Sequence, residues 1–345
     1  MEIDLKSLNK IEHGKRVKIP YGRIRLFNNY PLIVPVVPTP DPVFPMNDKM
    51  HTVYTIGSDQ YQNRFGYQVM TSISQVAELS TAQPDYILTG DYTAGTGVYD
   101  SEGICWVSAC SGVQIYAFLE ERPAGASTGS PVTTFKYTLF TSPSEGVDLR
   151  SWLITPPVDP FWIKQRTVSF NSLANRGPEG ITWDPYNDQF YIAVEGQSSL
   201  FPNDSAYGLY TLDPNTNIMV KLQAATDALS AFGMKDLTDV YFDRYFSRNL
   251  FILSDESGTL VRMTTGESLV ESLTAAEWLP ANGAQVEGIA FSRYMDRMYV
   301  SSEPNLLYLY TRPLSADITL SNFTYATSAE IDYIGSDLSS ITIEG

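Results

Sequence analysis

The chain has 345 residues, of which 43% are hydrophobic and 12% aromatic, so it can bury a large core and is too aromatic to be disordered. Only 18% of residues are charged, and 39 acidic against 23 basic side chains give a net charge of −16. This composition favours an all-β protein, and the net charge disfavours one that holds nucleic acid or an anionic membrane through a general positive field.

Residues 1–30 are predicted to form a basic, extended N-terminal arm. They carry a net charge of +4 and leave −20 for the rest of the chain. The first residues lack the basic and then apolar segments of a secretory signal, so we expect a protein made in a cytoplasm. No apolar run is long enough for a membrane helix, which argues against membrane insertion. We predict that the arm binds a partner through its basic side chains, which are Lys6, Lys10, Lys15, Arg16, Lys18, Arg23 and Arg25.

Residues 31–50 are predicted to be a proline-rich spacer. Six of the fifteen residues from 31 to 45 are proline, which favours an extended chain and forbids a regular helix or central strand. The spacer either lies along the body as a loop or acts as a strap that holds the body to a partner. Short alternating segments in the arm, at 17–20 and 24–26, are able to pair as edge strands with either one.

A repeated sequence unit predicts the architecture of residues 51–345. Copies begin at Glu179-Gly-Ile181, Thr238-Asp-Val240 and Glu287-Gly-Ile289. Each copy reads as a short strand, a turn, a second strand that ends in an acidic residue, and a third strand-like run. The copies are 59 and 49 residues apart, which suits four-stranded blades of a β-propeller.

A truncated fourth copy at 337–344 predicts how the ring closes. Ile341 follows Ile289 by 52 residues, and the new inner strand needs partners, which we expect between residues 50 and 75. Pairing the C-terminal strand with N-terminal strands removes exposed sheet edges. We predict six blades, with five or seven possible, because residues 76–178 leave room for two more. Glu102-Gly-Ile and Glu145-Gly-Val both repeat the start of the unit, but their spacing does not allow both to begin a blade.

Acidic residues before the first strand and after the second strand of each hairpin should meet at one mouth of the central channel. Clustered carboxylates are ligands that Ca²⁺ prefers, so a calcium site is one prediction. The alternative is that these acids accept hydrogen bonds from backbone amides of neighbouring blades or stay solvated. The candidate ligands are Glu179, Glu195, Asp239, Asp255, Glu287 and Glu303.

Other catalytic chemistry has little support in the sequence. The two histidines, His13 and His51, precede the repeats, which excludes a histidine base or a serine–histidine–aspartate triad within them. A calcium-dependent hydrolase with a carboxylate base remains possible, with Glu179 and Glu287 as first candidates. The aromatic residues predict packing between blades, although loops 92–99 and 202–207 are candidates for a saccharide or protein contact.

The repeats resemble the SdiA-regulated family of six-bladed propellers, which is related to the NHL and strictosidine-synthase-like group. The resemblance covers about residues 170 to 312 well, rests on the Glu-Gly-Ile and Tyr-Ile-Ala-Val-Glu195 patterns and their counterparts, and does not extend to the arm. It implies a ring with an acidic central funnel that in some members holds a cation such as calcium. The fold hosts enzymes, scaffolds and adhesins alike, so the resemblance does not define an activity.

Two functional hypotheses follow. The first is a non-enzymatic virion protein of a bacteriophage, which decorates the capsid or serves at the tail as adaptor or adhesin and contacts other virion proteins through residues 1–45. The second is a calcium-dependent lactonase- or phosphoesterase-like hydrolase, or a ligand-binding propeller, in the bacterial cytoplasm. The first rests on the layout of arm, spacer and acidic body.

Overall fold

A computed structural model describes residues 9–12, 15–18, 52–58, 66–71, 86–88, 101–110, 113–121, 132–141, 163–171, 176–196, 205–280, 285–303, 306–330 and 337–343. Within these residues the protein is all-β apart from short helices. Strands β1 (Asn9–Glu12) and β2 (Lys15–Lys18) form an antiparallel hairpin. Lys10, Lys15, Arg16 and Lys18 of the predicted arm belong to this hairpin, whereas Lys6, Arg23, Arg25 and the spacer lie outside the described residues.

The other strands form four-stranded antiparallel sheets, each of which is one propeller blade. Blade 1 contains β22 (Asp337–Ile343), β3 (Thr52–Ser58), β4 (Gly66–Thr71) and β5 (Tyr86–Leu88). Blade 2 contains β6 (Ser101–Cys110), β7 (Val113–Glu120), β8 (Thr134–Thr141) and β9 (Ile163–Ser169). Blade 3 contains β10 (Pro178–Asp184), β11 (Gln189–Val194), β12 (Gly208–Asp213) and β13 (Ile218–Lys221).

Blades 4 and 5 complete the set. Blade 4 contains β14 (Leu237–Phe242), β15 (Asn249–Ser254), β16 (Thr259–Thr264) and β17 (Leu269–Leu273). Blade 5 contains β18 (Val286–Phe291), β19 (Arg297–Ser302), β20 (Leu306–Thr311) and β21 (Thr324–Glu330). Helix α1 (Gln223–Ala231) lies between blades 3 and 4, and the short helix α2 (Ala275–Trp278) follows blade 4. No helix in the described residues is long and apolar enough to span a membrane.

The predicted closure of the ring is confirmed. Strand β22 pairs antiparallel with β3, with Ile341 opposite Thr55, so the innermost strand of blade 1 comes from the C-terminal part of the chain and the next three from the N-terminal part. Each innermost strand contacts the innermost strands of both neighbouring blades, in the order β22, β6, β10, β14, β18 and back to β22. The propeller is therefore a closed ring rather than a sandwich.

The described strands give five blades instead of the preferred six; five was among the counts left open. Two features of residues 76–178 explain the difference. The fourth strand of blade 1, β5, comes from this segment. The other strands described between residues 89 and 177 form one blade, whose first strand is ten residues long. The Glu102-Gly-Ile motif lies in that first strand, whereas Glu145 lies outside the described residues.

Burial decreases from the axis of the ring to its outside. All six residues of β15 are buried, while the outermost strand β13 alternates between exposed and partly buried residues. Aromatic side chains fill the spaces between blades. Tyr191 stacks on Phe242 with ring centroids 6.1 Å apart, and Tyr241 packs on Phe291 at 4.9 Å. Such pairs add to the apolar area that joins blades 3, 4 and 5.

The residue after the Glu position of each repeat lies where two inner strands approach closely. A Cβ atom on Gly180 would lie 2.5 Å from Asp239 Cα, and one on Gly288 would lie 2.8 Å from Ser340 Cα. Blades 1 and 4 have Ser340 and Asp239 at this level, and both side chains hydrogen-bond the next blade. The repeat therefore needs either no side chain or a short polar one here, because the neighbouring backbone occupies the space.

Candidate binding site at the acidic mouth of the channel

A β-bulge marks the start of every inner strand. The register shifts between Pro178 and Gly180 in β10, and between Val286 and Gly288 in β18, so Glu179 and Glu287 are the extra, unpaired residues. Equivalent shifts occur in β14, β22 and β6. Bulges redirect side chains and recur beside functional sites. Here they place residues of the Glu-Gly-Ile motif at one end of the ring.

The acidic side chains at this end form a connected group, which we call the acidic mouth. The group spans blades 2 to 5, and its members interact electrostatically with Glu179 or Glu287 across blade boundaries. Its residues are Glu102, Glu121, Glu179, Glu195, Asp236, Asp255, Glu287 and Glu303.

The tightest part of the mouth is a carboxylate triad. Glu121, Glu179 and Glu195 each place one carboxylate oxygen within 4.8 Å of the other two. Glu179 begins the inner hairpin of blade 3 and Glu195 follows its second strand, as the sequence predicted, while Glu121 comes from the equivalent position of blade 2. Two oxygens that ligate one Ca²⁺ at about 2.3–2.6 Å lie at most about 5 Å apart, so the triad fits a hard divalent cation.

The surroundings of Glu179 and Glu287 disfavour the ionised form of their carboxyl groups. Burial raises the pKa of Glu179 well above its ordinary value, and the charges of Glu102, Glu121, Glu195 and Glu287 add to the effect. The pKa of Glu287 is raised in the same way, first by burial and then by Asp255, Glu303, Glu102 and Asp236. A bound cation would compensate the repulsion among these groups.

Blade 4 contributes Asp236 and Asp255. Burial raises the pKa of Asp255 to about 6, with further contributions from Asp236 and Glu256, whereas its hydrogen bond from Gln285 acts in the opposite direction. Asp236 is buried, and its Oδ1 accepts a hydrogen bond from the backbone N–H of Gly196 in blade 3, 3.2 Å away. Asp236 therefore connects two blades as well as adding charge to the mouth.

Arg176 is a basic side chain within the acidic mouth. Its Nη1 lies 4.0 Å from Glu195 Oε1, and both side chains are mostly buried. One guanidinium does not balance eight carboxyl groups, so acidic groups outnumber basic ones in the mouth.

Asp239, another candidate ligand, occupies a different place. Its Oδ1 accepts from the N–H of Val240 and its Oδ2 from the N–H of Ile289 in blade 5, both at 2.8 Å. This is the backbone hydrogen bonding that the sequence left open as the alternative to metal binding. Thr238, rather than Asp239, holds the bulge position in β14, and its hydroxyl donates to Val286 O.

Three mouth residues were absent from the predicted set. Glu102 begins a Glu-Gly-Ile motif that the sequence revealed but could not place in phase with the others. Glu121 follows the second strand of its blade as Glu195 and Glu303 do in theirs, so the signal was present once blade 2 was recognised. Asp236 lies two residues before the motif position, and its counterpart in the C-terminal copy is Asp337, but the sequence did not predict that it adds to the mouth.

The aromatic loops do not provide a contact surface where the structure describes them. Tyr207, at the end of the 202–207 loop, is 3% exposed, and its hydroxyl donates to Met234 O. It is a core residue. Loop 92–99 lies outside the described residues, as do His13 and His51.

A comparison with known protein families gives a match over part of the chain. A sequence profile of the family described as SdiA-regulated matches residues 155–311. Over these residues, which include blades 3 and 4 and most of blade 5, the chain is similar to that family. No curated protein matches the chain.

Among solved structures, the chain is similar to the β-propeller domain of Myceliophteria thermophila Cps50 (Swd1), with 13% identity over 85% of this chain and 89% of that chain and a TM-score of 0.37. It is also similar to a chain of Chaetomium thermophilum polycomb repressive complex 2, with 11% identity over 62% of this chain and a TM-score of 0.34. The match spans only 37% of that chain.

Proposed function

We propose that this protein is a non-enzymatic binding propeller whose acidic mouth takes a cationic ligand, with Ca²⁺ as the simplest one. The observation that carries the proposal is the triad of Glu121, Glu179 and Glu195, with carboxylate oxygens within 4.8 Å of one another. A protein accepts such repulsion at the end of a rigid ring when a positive ligand offsets it.

A binding role is favoured over catalysis by the chemistry of the chain. No histidine occurs after residue 51, so the blades lack the commonest general base. The inner strands are joined by backbone contacts and by hydrogen bonds such as that from Ile289 N–H to Asp239. A rigid ring of this kind presents a preorganised site.

Calcium titration tests the proposal. We expect Ca²⁺ to raise the melting temperature of the full chain at pH 7.5, and Glu179→Gln to abolish most of that rise. The matched control is Asp227→Asn, which neutralises an exposed carboxylate on helix α1 and should leave the response intact. An equal response in Glu179→Gln and the unmodified chain would refute the role of the triad.

The finer proposal is that this binding propeller is a bacteriophage virion component, as a capsid decoration or a tail adaptor or adhesin. The support is the layout of the chain, in which a basic arm of charge +4 and a proline-rich segment precede a body of charge −19. Residues 1–45 would hold the propeller to other virion proteins. The chain and a form that lacks residues 1–45 should differ in sedimentation with phage particles, and equal behaviour of the two would contradict the proposal.

A calcium-dependent hydrolase is the second candidate, and the raised pKa values of Glu179 and Glu287 favour it. A carboxyl group that titrates closer to neutrality is a better general base or acid than an ordinary one. Lactone and phosphoester substrates should then be hydrolysed with Ca²⁺ and spared with EDTA. Absence of turnover under both conditions would leave the binding function alone.

A further inference from the structure

The opposite end of the channel has the reverse charge. Arg244 and Arg293 follow the inner strands β14 and β18, whose other ends carry Thr238 and Glu287. A strand of six residues is about 20 Å long, so the arginines and the acidic mouth are well separated. All five inner strands contribute to a small cavity at the arginine end, of about 20 Å³, that is partly open to solvent.

Aliphatic side chains of the inner strands line this cavity. Each inner strand places one of them in the lining of the cavity, and each is no more than 2% exposed. They are Ile104, Ile181, Val240, Ile289 and Ile341. In β10 and β18 this residue follows the acidic residue of the bulge by two positions, so it lies between that acid and the arginine end of the strand.

Both guanidinium groups converge on Tyr245. Arg293 lies over the ring of Tyr245 at 5.7 Å from its centroid. Burial raises the pKa of Tyr245, and the charges of Arg244 and Arg293 both act in the opposite direction. Both cations are therefore close enough to influence the same hydroxyl group, in a cavity that is also lined by Trp106 and Phe291.

The two arginines differ in how they are held. Arg244 is almost fully buried, donates to the carbonyl oxygens of Trp106 and Val107 at 2.7 and 2.8 Å, and lies over the Trp106 ring. It is fixed to blade 2. Among the described residues Arg293 has no hydrogen-bond or ion-pair partner, and its contact with Tyr245 is an aromatic one. Its five N–H donors are available to a ligand.

Carboxylates near this cavity are occupied elsewhere. Asp239 is the carboxylate in its lining, and both of its oxygens accept backbone N–H groups. Asp243, beside Arg244 in the chain, accepts three backbone amides and the Ser247 hydroxyl within its own turn. Neither carboxylate forms an ion pair with Arg244 or Arg293 within the described residues.

We propose that Arg244 and Arg293 form a binding site for a small oxyanion, a carboxylate or a phosphate, at the end of the channel opposite the acidic mouth. Guanidinium groups bind these anions through paired, charge-assisted hydrogen bonds, which are strengthened where water is scarce. Arg244 supplies a fixed positive charge and Arg293 supplies the free donors. The site is independent of the cation-binding function proposed above.

Isothermal titration calorimetry with the full chain tests this site. The probes are inorganic phosphate, acetate and benzoate, with benzylamine as a cationic control of similar shape to benzoate. We expect at least one anion to bind with a dissociation constant of about 1 mM or tighter and to weaken as chloride rises. Binding of phosphate alone would indicate an inorganic or phosphoryl ligand, and binding of a carboxylate alone an organic acid; either supports the site.

Arg293→Met provides the decisive variant, because it removes the charge and donors but keeps a long apolar side chain against Tyr245. We expect it to weaken anion binding about tenfold or more. The matched control is Arg248→Met, which removes an exposed guanidinium that stacks on Tyr186 at 3.9 Å; it should bind as the unmodified chain does. Thermal melting of both variants shows whether they are folded.

Three results would overturn the proposal. The first is no binding of any anion at about 10 mM, a concentration at which even weak sites are occupied. The second is equal binding by folded Arg293→Met and the unmodified chain. The third is benzylamine binding as tightly as benzoate, since a site made by two guanidinium groups rejects a cation.

Discussion

We expect Gly180→Ala to destabilise the protein by forcing the inner strands of blades 3 and 4 apart. The added Cβ atom would lie 2.5 Å from Asp239 Cα and 2.9 Å from Val240 N, whereas carbon atoms in contact are about 3.5–4.0 Å apart. These are backbone atoms of the inner strand of blade 4, so no side-chain rotation relieves the clash. The two inner strands must move apart by about 1 Å.

The size of the effect follows from the contacts that this movement disturbs. Overpacking in a core costs about 1–3 kcal/mol, and loss of the hydrogen bond from Ile289 N–H to Asp239 would add about 0.5–1.5 kcal/mol. Replacing glycine by alanine within a strand offsets about 0.5–1 kcal/mol of this loss in the free energy of unfolding, because the unfolded chain then has a lower conformational entropy. We expect a net loss of about 2 kcal/mol in the free energy of unfolding.

Urea denaturation followed by tryptophan fluorescence measures this loss. Gly288→Ala should behave similarly, because its Cβ would meet Ser340 Cα of blade 1 at 2.8 Å and so tests the junction where the ring closes. The control is Gly266→Ala, whose nearest contact is Thr264 Oγ1 at 3.6 Å. If Gly180→Ala and Gly266→Ala have the same stability, the close approach of inner strands is wrong.

Three further predictions concern charge and chain organisation. Because Asp255 has a raised pKa of about 6 in the folded chain, the native state binds more protons than the unfolded one, so this group lowers stability as pH rises from about 4 through 6. Asp255 should lower the free energy of unfolding by about 1–2 kcal/mol after allowance for its partial exposure. In urea denaturation, the free energy of unfolding should differ less between pH 5 and pH 8 for Asp255→Asn than for the unmodified chain. An equal difference in the two proteins would contradict the raised pKa of Asp255. Asp239→Ala should cost about 2–4 kcal/mol by leaving two buried backbone N–H groups without acceptors, which thermal and urea unfolding would reveal, with Asp227→Asn again as the control. Limited proteolysis followed by mass spectrometry should cut first within residues 31–50 and leave a fragment that contains the blades; early cleavage inside blades 3 to 5 would contradict this division of the chain.

The sequence was sufficient where the chain repeats itself. Ile181, Val240, Ile289 and Ile341 recur at blade-like spacing, and each lies on an inner strand of the ring. The flanking acids Glu179, Glu195 and Glu287 were predicted at one mouth because alternation along a hairpin defines which residues share an end. In such cases the regular geometry of a strand determines where each residue of the pattern lies in the folded protein.

The blade count and the complete site required the tertiary structure. Strand β5 belongs to blade 1, although it lies in a segment that the sequence analysis assigned to other blades. Its place in the sheet is defined by its pairing with β4. The sequence does not distinguish the roles of Asp239 and Glu179. Asp239 accepts backbone hydrogen bonds that join two blades, whereas Glu179 lies at a bulge, because a shift of one residue reverses the direction of a side chain. The sequence alone thus determined the repeat, the closure of the ring and its acidic character. The packing of neighbouring blades decided which acidic side chains lie together and which arginines line a cavity, because those contacts join residues far apart in the chain.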